Sequence, residues 1–188
     1  MGNVKNGSLL GEDYERLLRK VGGNYVTLER EIRIAIDHVV GPVCAVCQRV
    51  CCKASYCQRT LRNPWYRFLF KTFNKKKGLA WERREPPPGL GAKGCEIRAG
   101  RYAYCYSYNC RKVLSSLETD EARKTFQEIS DILKNVGLNF MGKRHLTDVR
   151  DWQEITPERL RALNKKIEEG TKRFHELRSL LFMDKPGS

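Results

Sequence analysis

All eight cysteines of this 188-residue chain fall between Cys44 and Cys110, in the order Cys44-x2-Cys47-x3-Cys51-Cys52-x4-Cys57, then 37 residues, then Cys95-x9-Cys105-x4-Cys110. A stretch so rich in thiols folds according to what its sulfurs bind. Met1 to Glu12 lacks the apolar stretch of a secretory signal, and no apolar run approaches the ~18 residues of a membrane span. The expectation is therefore a cytoplasmic protein outside the membrane. In a reducing compartment, close cysteine spacing points to metal rather than to disulfides.

The charge follows the cysteines. The formal net charge is +14. Residues 1–40 carry 6 basic and 6 acidic side chains, residues 41–115 carry 16 and 3, and residues 116–188 carry 14 and 13. Nearby Lys and Arg favour thiolate over thiol, and they offset the net negative charge that four thiolates leave around a divalent ion. Positive charge left over attracts an anionic partner, either nucleic acid or an acidic protein.

A C-x-x-C turn such as Cys44-Ala45-Val46-Cys47 lets two sulfurs converge on one tetrahedral ion. Adjacent Cys51 and Cys52 diverge by about 100° on a helix, so they suit a fork between two sites. The eight sulfurs then read as a pair of sites or a polynuclear cluster. The plainer alternative leaves one of that pair as a buried, uncoordinated cysteine. The bacterial ferredoxin run is missing, no second C-x-x-C completes a zinc ribbon, and no βαβ pattern surrounds CAVC to support a thioredoxin-like site.

CAVCQRVCC, with one extra residue before the double cysteine, and GCEIRAGRYAYCYSYNC resemble the two elements of the CxxCxxCC family of YkgJ-like zinc- or iron-chelating domains. The resemblance spans residues 44–110. It implies that Cys44, Cys47, Cys51, Cys52, Cys95, Cys105 and Cys110 are metal ligands, with Cys57 the eighth. The cofactor it implies is zinc or iron, including an iron-sulfur cluster. The family label also implies an iron-sulfur oxidoreductase or an accessory protein, with a structural, chelating or electron-transfer role.

The fold expected is mainly α, with a small irregular or β Cys-rich metal-binding core and a C-terminal helical hairpin. Its segments are an N-terminal helical segment (1–43), the Cys-rich core (44–115) and the hairpin (116–188). Leu17 and Leu18 lie in a short helix that Gly22 and Gly23 break. A second helix from Thr27 carries Leu28, Ile32, Ala35, Ile36 and Val39 to an end near Gly41 and Pro42. Asn63 and Pro64 signal the start of a short aromatic helix to Phe73. Thr119 and Gly137 bracket a helix through Ala122, Phe126, Ile129, Leu133 and Val136. Thr156 and Pro157 open the last one, whose seam Leu160, Leu163, Ile167, Gly170, Phe174, Leu177 and Leu181 has Gly170 as its gap. This hairpin packs on the rest of the chain or on a second copy in a homodimer.

A competing reading is a zinc-stabilised basic nucleic-acid-binding module. Arg67, Lys71 and Lys75 recur every four residues and continue into Lys76 and Lys77. Tyr102, Tyr104, Tyr106 and Tyr108 alternate as on a strand beside Arg98 and Arg101, a row able to stack bases. The histidines carry no such pattern: His38 stands near Cys44, and His145 and His175 lie in the helical tail.

Overall fold

Leu18, Val21, Tyr25, Leu28, Ile32 and Ala35 are buried at spacings of three and four along one uninterrupted helix, α1 (Asn6–Ala45). The computed structural model describes residues 6–46, 54–74, 90–91, 94–95, 97–107 and 109–183. The fold is mainly α. After α1 come α2 (Ala54–Arg62), α3 (Pro64–Phe73), α4 (Arg111–Ser115), α5 (Asp120–Val136) and α6 (Pro157–Met183). Among the described residues the only strands are β1 (Leu90–Gly91) and β2 (Gly94–Cys95), an antiparallel ladder pairing Leu90 with Cys95. No helix of the described residues is long and apolar enough to cross a membrane.

Helices α1, α5 and α6 form a three-helix bundle whose directions can be read from its contacts. Tyr14 Oη donates to the Ile155 carbonyl at 2.8 Å, Asn24 Nδ2 donates to Asn164 Oδ1 at 2.9 Å, and His175 lies 3.7 Å from Glu31. Both numbers rise together, so α1 and α6 run parallel. Arg173 pairs with Glu128 at 2.6 Å while Lys166 donates to the Leu138 carbonyl, so α5 runs antiparallel to α6. The seam of α6 is buried at Leu160, Leu163, Ile167, Phe174 and Leu177. Its gap is occupied by neighbours: a Cβ at Gly170 would stand 2.9 Å from Val136 Cγ2, 3.3 Å from Ile132 Cγ2 and 3.4 Å from Leu28 Cδ2. The α5–α6 pair therefore packs on α1, with Gly170 where all three helices come closest.

The break expected at Gly22 and Gly23 does not occur. Helix α1 passes through both, and at Gly22 α3 packs so closely that a Cβ would lie 2.7 Å from Phe68 Cε1 and 3.2 Å from Leu69 Cδ2. That glycine lets α3 sit against α1, and packing on an apolar face outweighs a propensity cost of about 1 kcal/mol per glycine. Nor does α1 stop at Gly41. Pro42 gives up only the bond to the carbonyl four residues back, and the helix ends within one further turn.

The remaining helix ends follow their caps. Asn63 accepts from Tyr66 N at 3.2 Å, and its amide donates to the carbonyls of Leu146 and Val149, tying the start of α3 to the α5–α6 connection. Thr119 accepts from Ala122 N at the start of α5, and Gly137 is its C-cap. Pro157 opens α6, with Thr156 Oγ1 accepting from Arg159 N at 3.4 Å.

The two kinds of helical glycine predict opposite outcomes in urea unfolding. Gly170→Leu overpacks the three-helix contact and lowers stability by about 1–3 kcal/mol. Gly23→Ala, whose Cβ meets nothing within 4 Å, raises it by about 1 kcal/mol through helix propensity.

Candidate metal centre

The loop that carries the second cysteine group is held to α1 by a buried carboxylate. Glu29 is 0% exposed. Its Oε2 accepts from Gly100 N at 2.7 Å, and its Oε1 accepts from Arg101 N at 2.8 Å and from Tyr106 Oη at 2.8 Å. Two successive backbone N–H groups converging on one carboxylate form an anion nest. The nest depends on Gly100, whose φ is +78° and whose Cβ, were there one, would lie 2.9 Å from both Leu69 Cβ and the Tyr66 carbonyl oxygen. One turn along α1, Arg33 Nη1 donates to the Arg98 carbonyl at 3.3 Å, so a single helix face holds both kinds of backbone group.

Burial raises the Glu29 carboxyl above its ordinary value, while the bonds from Gly100, Tyr106 and Arg101 and the Arg101 charge pull the other way. The Arg101 side chain is fixed beside it, with Nε donating to the Ile97 carbonyl at 2.6 Å and the guanidinium 5.9 Å from the Tyr106 ring centroid. Burial, then the Glu29 charge, drives the Tyr106 phenol well above its usual range, which keeps it a proton donor to Glu29. A second polar group, Asn74, holds the same segment to the end of α3. Asn74 accepts from Arg98 N and Ala99 N and donates to the Phe70 and Ala99 carbonyls, at 2.8–3.2 Å. Asn74, at the end of α3, thus ties that helix directly to residues 98 and 99.

The described residues place three of the cysteines in full. Cys44 is exposed in the last turn of α1, about 22 Å along the axis from Glu29 at ~1.5 Å per residue. Cys105 ends the 3-10 turn Ala103–Cys105 and packs half-buried against the core, and half-buried Cys110 caps α4, which contacts α1. None of these three is in a disulfide. Cys95 lies in β2 and Cys57 in α2, with their side chains outside the description, and Cys47, Cys51 and Cys52 lie outside the described residues. Among the described residues, no three or more His, Cys, Asp or Glu side chains are grouped to hold a metal.

Tyr102, Tyr104 and Tyr106 do not form the expected strand, and Tyr108 lies outside the described residues. Their segment makes a 3-10 turn, in which Cys105 N bonds the Tyr102 carbonyl at 2.8 Å, and this wraps the chain so that Tyr102 and Tyr106 both enter the core. Tyr102 packs tilted against Tyr66, with ring centroids 5.6 Å apart, and Tyr104, 37% exposed, is the ring among the described tyrosines of the row that reaches the surface. A tight turn places residues three or four apart on one side, which the two-residue alternation concealed. Arg67, Lys71 and Arg98 are exposed and Arg101 is half-buried, whereas Lys75, Lys76 and Lys77 lie outside the described residues.

His145 is structural. Its Nδ1 accepts from Thr147 N at 3.0 Å and its Nε2 lies 2.7 Å from the Lys134 carbonyl, so the proton sits on Nε2. It fits beside Gly137, where a Cβ would lie 2.6 Å from its Cε1.

Glu29 carried a signal that the pattern reading passed over. It stands four residues after Tyr25 and three before Ile32, an acid inside the apolar stripe of a helix, which calls for a buried partner.

No protein-family model matches the chain, and neither a curated protein nor a solved structure matches it.

Two outcomes follow from this geometry. Glu29→Gln sets an amide N–H against the N–H donors of the nest, so chemical unfolding will show a loss of about 2–3 kcal/mol. Burial holds His145 below its ordinary value, so the unfolded chain binds the extra proton first. Stability supplied by neutral His145 is complete above pH ~6.5 and falls as pH drops from there toward the lower folded value. Measured from pH 7 to pH 5, the difference in stability between wild type and His145→Asn, which keeps the cap, will shrink as the pH falls.

Proposed function

We propose that this chain is a Cys-cluster metal-binding protein that takes zinc or iron, including iron as an iron-sulfur cluster, through the segment from Cys44 to Cys110. One observation carries the reading: three of the eight cysteines, Cys95, Cys105 and Cys110, belong to a segment fastened by a buried nest. Cys95 and Cys105 each lie five residues from Gly100, within ~17 Å of it by chain reach. Fixing the loop in advance lowers the ordering entropy that metal binding would otherwise have to overcome.

The donor set suits the metal. Half-buried Cys105 and Cys110 lie in the part of the chain that holds nearly all of the excess positive charge, which offsets the negative charge that thiolate ligands leave around a divalent ion. The resemblance to the YkgJ-like CxxCxxCC family belongs to the same proposal, as does a small Cys-rich core set beside the helical bundle. Four thiolates around zinc make a closed site that stabilises a fold, whereas an iron-sulfur cluster passes electrons. The role proposed is structural, chelating or electron-transferring.

Elemental analysis and the absorption spectrum of anaerobically purified protein test this together. The expected result is at least one equivalent of zinc or iron per chain, reduced in Cys105→Ser/Cys110→Ser. A colourless sample with stoichiometric zinc assigns a structural or chelating role, and a visible charge-transfer band assigns an iron-sulfur centre. A stably folded protein purified free of metal would overturn the proposal.

A further inference from the structure

Away from the cysteines, α1, α3 and the start of α6 enclose an open groove of about 1040 Å³. Its floor is apolar, formed by Tyr14, Leu18, Phe68 and Ile155, and one wall carries Trp152. Trp152 is 43% exposed although it belongs to a hydrogen-bonded turn. Asp151 accepts from Gln153 N at 3.0 Å, Glu154 accepts from Asp151 N at 3.1 Å, and Arg144 pairs with Glu154 at 2.7 Å. Phe68 sets its edge against the indole, with centroids 6.1 Å apart at 82°, which fixes the ring while part of its surface stays open to solvent. The bond from Tyr14 to the Ile155 carbonyl holds the opposite side.

Three cations line the groove, Arg19 from α1 and Arg67 and Lys71 from α3, against the single carboxylate of Glu15. Arg67 and Lys71 are both exposed and four residues apart, hence neighbours on one helix face. The groove therefore pairs a presented aromatic ring with net positive charge.

We infer that this groove binds single-stranded nucleic acid, stacking a base on Trp152 and placing adjoining phosphates along Arg19, Arg67 and Lys71. Charge complementarity selects a polyanion, and the open indole selects one with planar groups. An acidic peptide satisfies the first condition and leaves the second unused. The size of the groove, at the upper limit for small-molecule pockets, and its open form suit a strand passing through. This inference is independent of the metal proposal.

The test is fluorescence anisotropy of the full chain as purified, with whatever metal it carries, against a labelled single-stranded oligonucleotide of ~12 nucleotides. Saturable binding is expected at ~50 mM salt, weakening at least tenfold by ~200 mM as counterion release requires. Trp152→Ala should weaken it about 5- to 100-fold, and Trp152→Tyr, which keeps a planar face, should restore most of it. Arg67→Glu/Lys71→Glu should cost at least tenfold, whereas reversing exposed Lys172 and Arg178 on the far part of α6 should leave affinity within about twofold. Circular dichroism melts establish that each variant is folded. The inference is overturned by no binding at low salt, by equal weakening from the control reversal, by indifference to Trp152→Ala, or by equal competition from polyglutamate of matched charge.

Discussion

A carboxylate with no exposed surface organises this molecule. Glu29 lies on the apolar face of α1 and would be costly there without partners. Its partners are two consecutive backbone amides and a phenol, drawn from residues more than seventy positions away along the chain. That single group fixes where the segment between Cys95 and Cys110 crosses the bundle. Without it, the positive φ at Gly100 and the inward turn of Tyr102 and Tyr106 would have no common cause.

Close approach makes such an arrangement possible. Gly22 admits α3, Gly100 admits the loop and Gly170 admits α5, each at a point where a methyl group would collide with a neighbour. The aromatic cluster of Tyr25, Trp65, Tyr66 and Tyr102 fills the space between α1, α3 and the loop, with Tyr25 and Trp65 edge to face at 5.8 Å. The bundle and the anchored loop thus share one core.

Elements governed by local chemistry were legible in the sequence. Asn63-Pro64, Thr119, Gly137 and Thr156-Pro157 mark helix ends through caps made within a few residues, and the α6 seam declares its buried face. The gap at Gly170 was visible, but the three side chains that fill it come from two other helices. What escaped was set by distant contacts. Gly22-Gly23 has the local character of a break and is overruled by α3, and the alternating tyrosines have the local character of a strand and are overruled by the nest. Glu29 differs, because a lone acid within an apolar stripe announces a partner without naming it. For the cysteines, spacing proposes ligation, and the described residues locate Cys44, Cys105 and Cys110 without joining them into a site.

The claim on which the functional reading rests is that the loop around Gly100 is as firmly held as the helix beneath it. Amide hydrogen exchange measures this directly. If the nest anchors the loop, Gly100 and Arg101 exchange only through the same large opening that exposes the Ile32 amide in the middle of α1, although neither belongs to a helix or strand. Rapid exchange at those two amides while Ile32 stays protected would contradict the account.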